Sequence, residues 1–330
     1  MRLTAPAFWY RQTIPPLSLR LLARVYGVLS ARRARRLRSL ARRLPVPVVM
    51  VGNVTVGGTG KTPCVAWLIE ELRALGRRPG VLSRGYRGHG PFPHLVAAGD
   101  DPKQVGDEPL WLAQRCGVPV AVAPDRLAAA ALLRRRHPQV DVLVCDDGLQ
   151  HYRLARDLEL CVIDGRLGFG NGFLLPAGPL REPRTRAATC ALLLINGADP
   201  APYGEHAVRF DLTVAIARRL CDGSERRLAE FAGGEVHALA GIGAPQRFFD
   251  ALRGAGLALI EHPLPDHAGL DAATLAFGDR RPVLMTDKDA IKCRGLADPR
   301  LWAVPARVAA SPQAASAVRQ LLRTLPHPAG

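Results

Sequence analysis

A glycine-rich loop stands between an apolar run and a helical pattern, and its residue types suit phosphate binding. Residues 46–51 are almost entirely apolar, and the loop after them ends in Gly60, Lys61 and Thr62. Glycines let backbone N–H groups turn toward phosphate oxygens, a lysine reaches the terminal phosphates, and a threonine hydroxyl can ligate magnesium. The sequence therefore predicts a phosphate loop composed of Val54, Thr55, Val56, Gly57, Gly58, Thr59, Gly60, Lys61 and Thr62.

The loop departs from the strict pattern G-x-x-x-x-G-K-[S/T] at one position. Thr55 stands where the first glycine is expected, although Gly57 and Gly58 supply flexibility nearby. Pro63 is compatible with the start of a helix, because the first N–H groups of a helix have no partner within it. The competing interpretation is a glycine-rich turn that contains a lysine by chance.

A second apolar run, residues 142–145, ends in the adjacent carboxylates Asp146 and Asp147. A carboxylate at the end of a buried strand can hold the magnesium ion of a bound nucleotide, although such aspartates also simply cap loops. With a phosphate loop upstream, the pattern predicts Asp146 and Thr62 as metal ligands.

Apolar strand patterns alternate with helical ones, which predicts an α/β fold: a P-loop NTPase-like, doubly wound, mostly parallel sheet with a second, smaller α/β domain. Turn-forming residues at 197–206 suggest a hinge. The predicted domains are residues 1–44, 45–200 and 201–330. Predicted strands cover residues 46–51, 80–83, 118–123, 140–145, 158–163, 191–195, 236–240, 257–261 and 283–286, and predicted helices cover 63–75, 109–116, 126–136 and 245–254.

The basic charge is concentrated at the start of the chain. Net charge is +16, and no acidic residue precedes Glu70. Apolar and arginine side chains between residues 20 and 44 fall on different faces of a helix, a pattern that suits an anionic membrane surface. The alternatives are a solvated helix packed on the protein body and a nucleic-acid surface. Aromatic residues do not interleave with the arginines as a stacking platform requires, so nucleic acid is not predicted as a partner.

Cysteine usage and hydropathy favour a cytoplasmic protein. The seven cysteines are scattered and never spaced Cys-x-x-Cys, which argues against a disulfide framework and a zinc knuckle. We expect no signal peptide and no transmembrane span, because the longest uncharged run, residues 44–60, is interrupted by proline and glycine.

Several motifs resemble, in the same order, those of the tetraacyldisaccharide 4'-kinase family of lipid A biosynthesis. They run through nearly the whole chain, which makes the set far more specific than a phosphate loop alone. The motifs are residues 52–63, 83–88 (Ser-Arg-Gly-Tyr-Arg-Gly), 105–109 (Val-Gly-Asp-Glu-Pro), 146–151 (Asp-Asp-Gly-Leu-Gln-His), 175–183, 241–249, 265–267 (Pro-Asp-His) and 286–290 (Thr-Asp-Lys-Asp-Ala).

The resemblance implies an ATP- and Mg²⁺-dependent kinase that phosphorylates the 4'-hydroxyl of an acylated glucosamine disaccharide 1-phosphate to form lipid IVA. It also implies a peripheral protein on the cytoplasmic face of the inner membrane, with a lipid-linked substrate and no obligate protein partner. The alternative is a regulatory or metallochaperone-type P-loop NTPase, which needs no lipid acceptor. A nucleic-acid-binding ATPase is a further rival.

The resemblance also implies roles for individual residues. Asp107 would accept the proton of the sugar hydroxyl, with His267 paired to it, and Glu108 would complete the metal or nucleotide shell. Without the resemblance, Asp107 and Glu108 fit a helix N-cap before Pro109 equally well, and His267 fits a structural turn. Asp287, Lys288 and Asp289 are expected to hold the second domain together by local ion pairs and to take no part in the chemistry. The tentative substrate or nucleotide shell is Asp147, Gln150, His151 and Arg181.

Overall fold

Strands with helices on both faces must be apolar on both sides, and the strands next to the phosphate loop meet this condition. In the computed structural model, which describes residues 6–11, 13–265, 268–293 and 295–327, every residue of β1 (Val48–Gly52), β2 (Pro79–Ser83) and β5 (Val142–Cys145) is buried. Their branched side chains form two layers of core, one on each face of the sheet.

The first lobe is built on a nine-stranded sheet. Its further elements up to residue 213 are α1 (Leu17–Ser39), α2 (Lys61–Ala74), β3 (His94–Leu95), α3 (Pro102–Val105), α4 (Asp107–Cys116), β4 (Val120–Val122), α5 (Arg126–Arg136), β6 (Leu158–Asp164), α6 (Arg184–Ala187), β7 (Leu192–Asn196) and β8 (Ala207–Thr213).

The second lobe is built on a six-stranded sheet, after which the chain returns to the first lobe. The second lobe contains β9 (Ile216–Arg219), β10 (Glu225–Arg227), β11 (Glu235–Ala240), α7 (Pro245–Gly254), β12 (Ala258–Pro263), β13 (Val283–Thr286), α8 (Asp287–Ala290) and β14 (Leu301–Val304), and the returning elements are β15 (Arg307–Ala310) and α9 (Pro312–Arg323).

Strand order determines where the loops meet. The first sheet runs β15-β8-β7-β6-β1-β5-β2-β4-β3, and the second runs β10-β9-β14-β13-β11-β12. β1 is parallel to both of its neighbours, β5 and β6. The carboxyl ends of these strands therefore lie at one edge of the sheet, where α/β proteins bind ligands. This edge brings the residues after β1 beside the residues after β5.

The predicted α/β architecture with a mostly parallel, doubly wound sheet is confirmed. The division into domains at residue 200 stays a prediction. The first sheet contains strands from both sides of this residue, because β8 and β15 belong to it. Val318 and Leu322 of α9 are also buried in the core of the first lobe. β3, β8, β9, β10, β14 and β15 were not predicted. Most of them are only partly buried, so they lack the apolar run on which the prediction relied.

The N-terminal helix lies on the first lobe with most of its apolar side chains exposed. Leu17, Leu21, Val25 and Val28 are each at least 50% exposed, whereas Ala23 is buried. Tyr26 donates a hydrogen bond to the carbonyl of Arg181, 3.0 Å away. None of the helices in the described ranges is both long and apolar enough to cross a membrane.

Candidate active site

A cleft of about 1070 Å³ opens between the two lobes at the carboxyl edge of the first sheet. Residues 56–62 of the phosphate loop, Asp146 and Glu108 line it from the first lobe, and Arg247 and Lys288 line it from the second. Val54, Thr55 and Asp107 are not among the lining residues. Sequence-predicted residues that are distant along the chain, Thr62, Asp147, Gln150, His151 and Arg181 among them, therefore share one cavity.

The phosphate loop has the backbone conformation that its glycines predict. Gly57 and Gly60 have φ angles of 107° and 94°, in the range that favours glycine. A Cβ atom on Gly60 would lie 2.9 Å from Nδ2 of Asn196, which itself donates to the carbonyl of Thr59 at 3.1 Å. α2 begins at Lys61, so its first N–H groups, which have no partner within the helix, stand at the loop.

A neighbouring segment explains why Thr55 can replace the expected glycine. Val56 donates its N–H to the carbonyl of Pro179 at 2.9 Å, and Arg181 donates its N–H to the carbonyl of Val54 at 2.7 Å. Thr55 lies between them in an antiparallel bridge with Leu180. An extended residue in such a bridge needs no left-handed conformation, so a β-branched side chain is tolerated here.

Asp146 is buried, with 1% of its surface exposed, and its two carboxylate oxygens accept no hydrogen bond from the part of the chain that the structure describes. Burial, and next the negative charges of Glu108 and Asp147, raise the pKa of Asp146 to about 7. Such a carboxylate is stabilised by a cation, because burial of an unpaired charge is unfavourable.

Asp147 has the opposite electrostatic environment. Burial favours its neutral form, but Lys61 at 3.6 Å and Arg181 at 3.1 Å outweigh burial and lower the pKa of Asp147 to about 2. Asp147 has a φ of 48°, which is unusual for a residue with a side chain. This pair of ionic contacts holds the strained turn after β5 against the phosphate loop.

The residues at this edge fit a magnesium ion bound together with a nucleotide. Among the described residues, no group of three or more His, Cys, Asp or Glu side chains forms a metal cage. Magnesium usually takes one or two carboxylates together with substrate phosphates rather than a cage. Asp146 has free carboxylate oxygens, and Thr62 lines the same cleft. Glu108, also predicted as a metal ligand, is paired with Lys288 here.

Asp107 and Glu108 form the first turn of α4, and both face lysines of the second lobe. The Nζ atom of Lys288 lies 2.7 Å from Oε1 of Glu108, and the Nζ atom of Lys292 lies 3.7 Å from Oδ2 of Asp107. Burial would raise the pKa of Glu108, but the charge of Lys288 outweighs it and lowers this pKa. The N-cap interpretation of Asp107 is wrong, because Gly106 is the N-cap residue and α4 starts at Asp107.

The expectation of local ion pairs for residues 287–289 is wrong for Asp287 and Lys288. Asp287 accepts a hydrogen bond from Nε1 of Trp111 at 2.6 Å, and Lys288 pairs with Glu108, so both contact α4 of the first lobe. Asp289 alone follows the expectation. Charged side chains next to one another in sequence give no indication of a partner about 180 residues away, which is why the prediction failed.

The tentative shell residues have defined partners. Gln150 donates to the carbonyl of Asn53 at 3.0 Å and to Glu182 at 2.8 Å, so it supports the strand that leads into the phosphate loop. His151 lines the cleft, and burial, with the nearby charge of Arg126, lowers the pKa of His151 to about 4. His151 is therefore neutral at pH 7. Direct contact of these residues with substrate or nucleotide stays a prediction.

His267 lies outside the described residues, so its pairing with Asp107 stays a prediction. Sequence reasoning missed four residues of the site: Trp111, Asn196, Lys288 and Lys292. Asn196 could have been found, because it ends the buried strand β7 just as Asp146 follows β5. Lys288 stands in the motif 286–290, but its role at the contact between lobes was not predicted, and nothing signalled Trp111 or Lys292, whose roles depend on the same contact.

Gly60→Ala is expected to weaken ATP binding at least ~10-fold, because a left-handed conformation with a side chain costs about 1 to 3 kcal/mol and the loop must move to avoid Asn196. Calorimetric titration with ATP measures the change. Gly254→Ala is the matched control, because no described atom lies within 4 Å of the added Cβ. Unchanged affinity in the Gly60 variant would contradict the assigned conformation.

Asp287→Asn is expected to remove a pH-dependent loss of stability. Burial raises the pKa of Asp287 to about 6 from 3.8. The folded state therefore binds this proton more tightly than the unfolded state, and the wild-type free energy of unfolding falls as pH rises from about 4 to 6. The free energy of unfolding of the asparagine variant, relative to that of wild type, should increase by about 1 to 3 kcal/mol between pH 4 and pH 8.

Urea unfolding at both pH values measures this difference. Asp298→Asn provides a control of opposite sign, because its hydrogen bond to Arg300 lowers the pKa of Asp298, so this variant should lose stability at the higher pH. A pH-independent effect of Asp287→Asn would exclude a buried, titrating carboxylate at this position.

Comparison with known proteins agrees with the motifs and with the cleft. The family model described as tetraacyldisaccharide-1-P 4'-kinase matches residues 16–325. The tetraacyldisaccharide 4'-kinase of Alkalilimnicola ehrlichii is 52% identical over 324 residues, with 95% of each chain covered. That of Pseudomonas aeruginosa is 51% identical over 312 residues, with 93% of each chain covered.

A solved structure supports the same relationship. The crystal structure of LpxK from Aquifex aeolicus in complex with ATP matches with a TM-score of 0.75 and 27% identity, and covers 92% of this chain and 96% of that one. The resemblance inferred from the ordered motifs is confirmed, and the chain belongs to the tetraacyldisaccharide-1-P 4'-kinase family.

Proposed function

We propose that this chain is an ATP-dependent kinase that transfers the γ-phosphoryl group to the 4'-hydroxyl of an acylated glucosamine disaccharide 1-phosphate. The observation that carries the proposal is the composition of the cleft. A phosphate loop with Lys61 and Thr62, a buried Asp146 and Glu108 of α4 line one cavity between two lobes, in a chain that belongs to this kinase family.

Each group has a role that its environment supports. Phosphoryl transfer depends on in-line positioning and on neutralisation of charge. Lys61 and the loop N–H groups would hold the β- and γ-phosphates. Asp146 and Thr62 would hold Mg²⁺, which supplies positive charge to the phosphate oxygens when it is bound. Asp107 would accept the proton of the attacking hydroxyl, with His267 as its partner from the second lobe.

Contact between the lobes supports a closed arrangement around the reacting groups. Trp111 and Glu108 of the first lobe bond to Asp287 and Lys288 of the second. Closure of the cleft would exclude water, so that the γ-phosphoryl group passes to the sugar and not to water.

The exposed face of α1 supports contact with an anionic membrane surface, the cytoplasmic face of the inner membrane. Exposed apolar side chains lie along one side of this helix, and arginines lie beside them. Tyr26, Ser30 and Arg33 of the same helix line the cleft. A lipid whose acyl chains stay in the bilayer would thus present its sugars to the site.

Mass spectrometry of the acceptor after incubation with Mg-ATP tests the reaction. The expected product carries one added phosphate on the 4' position. Asp107→Ala should lower turnover at least ~100-fold with little change in ATP affinity, since it removes the general base. ATP consumption that does not depend on the acceptor would favour the regulatory NTPase instead, and near-normal turnover of Asp107→Ala would remove this residue from its role.

Vesicle co-sedimentation tests membrane contact. The double variant Leu21→Asp/Val25→Asp should bind anionic vesicles at least ~10-fold more weakly, because it places charge on the apolar side of α1. Ala229→Asp/Ala272→Asp adds the same charge at exposed sites of the second lobe and should bind normally. Equal binding of both double variants would contradict the proposed surface.

A further inference from the structure

One face of α4 contacts one short segment of the second lobe through three polar pairs. Asp107 and Glu108 are consecutive residues of the first turn of α4, and Trp111 lies about one helical turn after them. Their partners, Lys292, Lys288 and Asp287, follow β13 within six residues. The helix turn that carries the proposed general base is therefore also the place where the second lobe attaches.

Lys292 is the most enclosed of these lysines. Its side chain is 9% exposed and lies between two carboxylates, 2.9 Å from Oδ1 of Asp289 and 3.7 Å from Oδ2 of Asp107. The first distance is that of a hydrogen bond. The second is longer, so Lys292 acts on Asp107 through its charge. Solvent screens this attraction weakly, because the Asp107 side chain is only 12% exposed.

Asp289 fixes the position of the ammonium group. It is fully buried, and its Oδ2 accepts hydrogen bonds from the N–H of Gly241 at 2.8 Å and from Oγ1 of Thr286 at 2.7 Å. These bonds connect Asp289 to the ends of β11 and β13 in the second sheet. The position of the Lys292 charge is thus set by the rigid part of the second lobe.

We propose that Lys292 is a positioning residue for phosphoryl transfer: held by Asp289, it fixes the Asp107 carboxylate at the lobe contact. The inference rests on the proposed role of Asp107 in the transfer reaction. The charged groups packed around Asp107 from α4, from α8 and from the turn after it are Glu108, Lys288, Asp289 and Lys292. Removal of Lys292 would take away its attraction for Asp107 and leave this carboxylate less firmly positioned.

The test compares Lys292→Met with Lys292→Arg and with Lys103→Met, which removes an exposed lysine of α3. Lys292→Met should lower kcat at least ~10-fold while ATP affinity stays within about twofold, because the phosphate loop is untouched. Lys292→Arg should recover most of the loss, and Lys103→Met should behave as wild type. A fall in ATP affinity equal to the fall in kcat would overturn the proposal.

A double-mutant cycle separates positioning from a general structural role. If Lys292 acts through Asp107, then Asp107→Asn/Lys292→Met should turn over no more slowly than Asp107→Asn alone. If the losses in turnover of the two single variants multiply in the double variant, the inference is wrong, because a purely structural effect is independent of Asp107. Failure of the proposed function is a different result, namely wild-type protein that forms no 4'-phosphorylated product.

Loss of Lys292 leaves Asp289 buried without its counter-ion, so Lys292→Met is expected to be less stable. Asp289→Asn/Lys292→Met removes both charges together and keeps the contact neutral. This double variant should fold with a melting temperature close to that of wild type and still show the ~10-fold loss in kcat. A wild-type kcat in the folded double variant would likewise overturn the proposal.

Discussion

The arrangement of this site follows from one electrostatic constraint, the burial of the Asp146 carboxylate at the end of β5. Neither of its oxygens accepts a hydrogen bond from the described residues, and burial of a charge without a partner is unfavourable. The fold tolerates it because Lys61 lies close by across the parallel pair β1 and β5, and because the raised pKa lets the group take up a proton when no cation is bound. Nucleotide with magnesium would replace that proton.

The same constraint explains why the second lobe attaches where it does. Glu108 of α4 lies close enough to Asp146 and Asp147 for their negative charges to repel one another, and a nucleotide would add further negative charge here. Lys288 and Lys292 supply opposite charge from the second lobe. A contact made of ion pairs and a tryptophan N–H is polar, and polar contacts between lobes permit relative motion. Lys288 and Lys292 therefore both attach the second lobe and balance the negative charge of the carboxylates that they contact.

Local patterns predicted most of the elements around the phosphate loop, although β14 (Leu-Trp-Ala-Val) and α9 were missed. The phosphate loop, the buried strand before Asp146 and the helices around them were readable because apolar period and glycine position are local properties. The partners of Lys288 and Asp287 were not readable, since they lie on a helix about 180 residues earlier. Strands such as β10, with the sequence Glu-Arg-Arg, were not predicted for a related reason. Their pairing depends on a neighbouring strand and not on an apolar run of their own.

The segment after Pro176 connects α1 with the phosphate loop. The carbonyl of Arg181 accepts a hydrogen bond from Tyr26 of α1, its N–H donates to Val54, and its guanidinium group pairs with Asp147. A single residue thus contacts the helix, the loop and the strained turn after β5. With α1 on a membrane, as proposed, this linkage would keep the nucleotide site at a fixed distance from the lipid surface. The sugar hydroxyl, and not the site, would then be the part that moves into line.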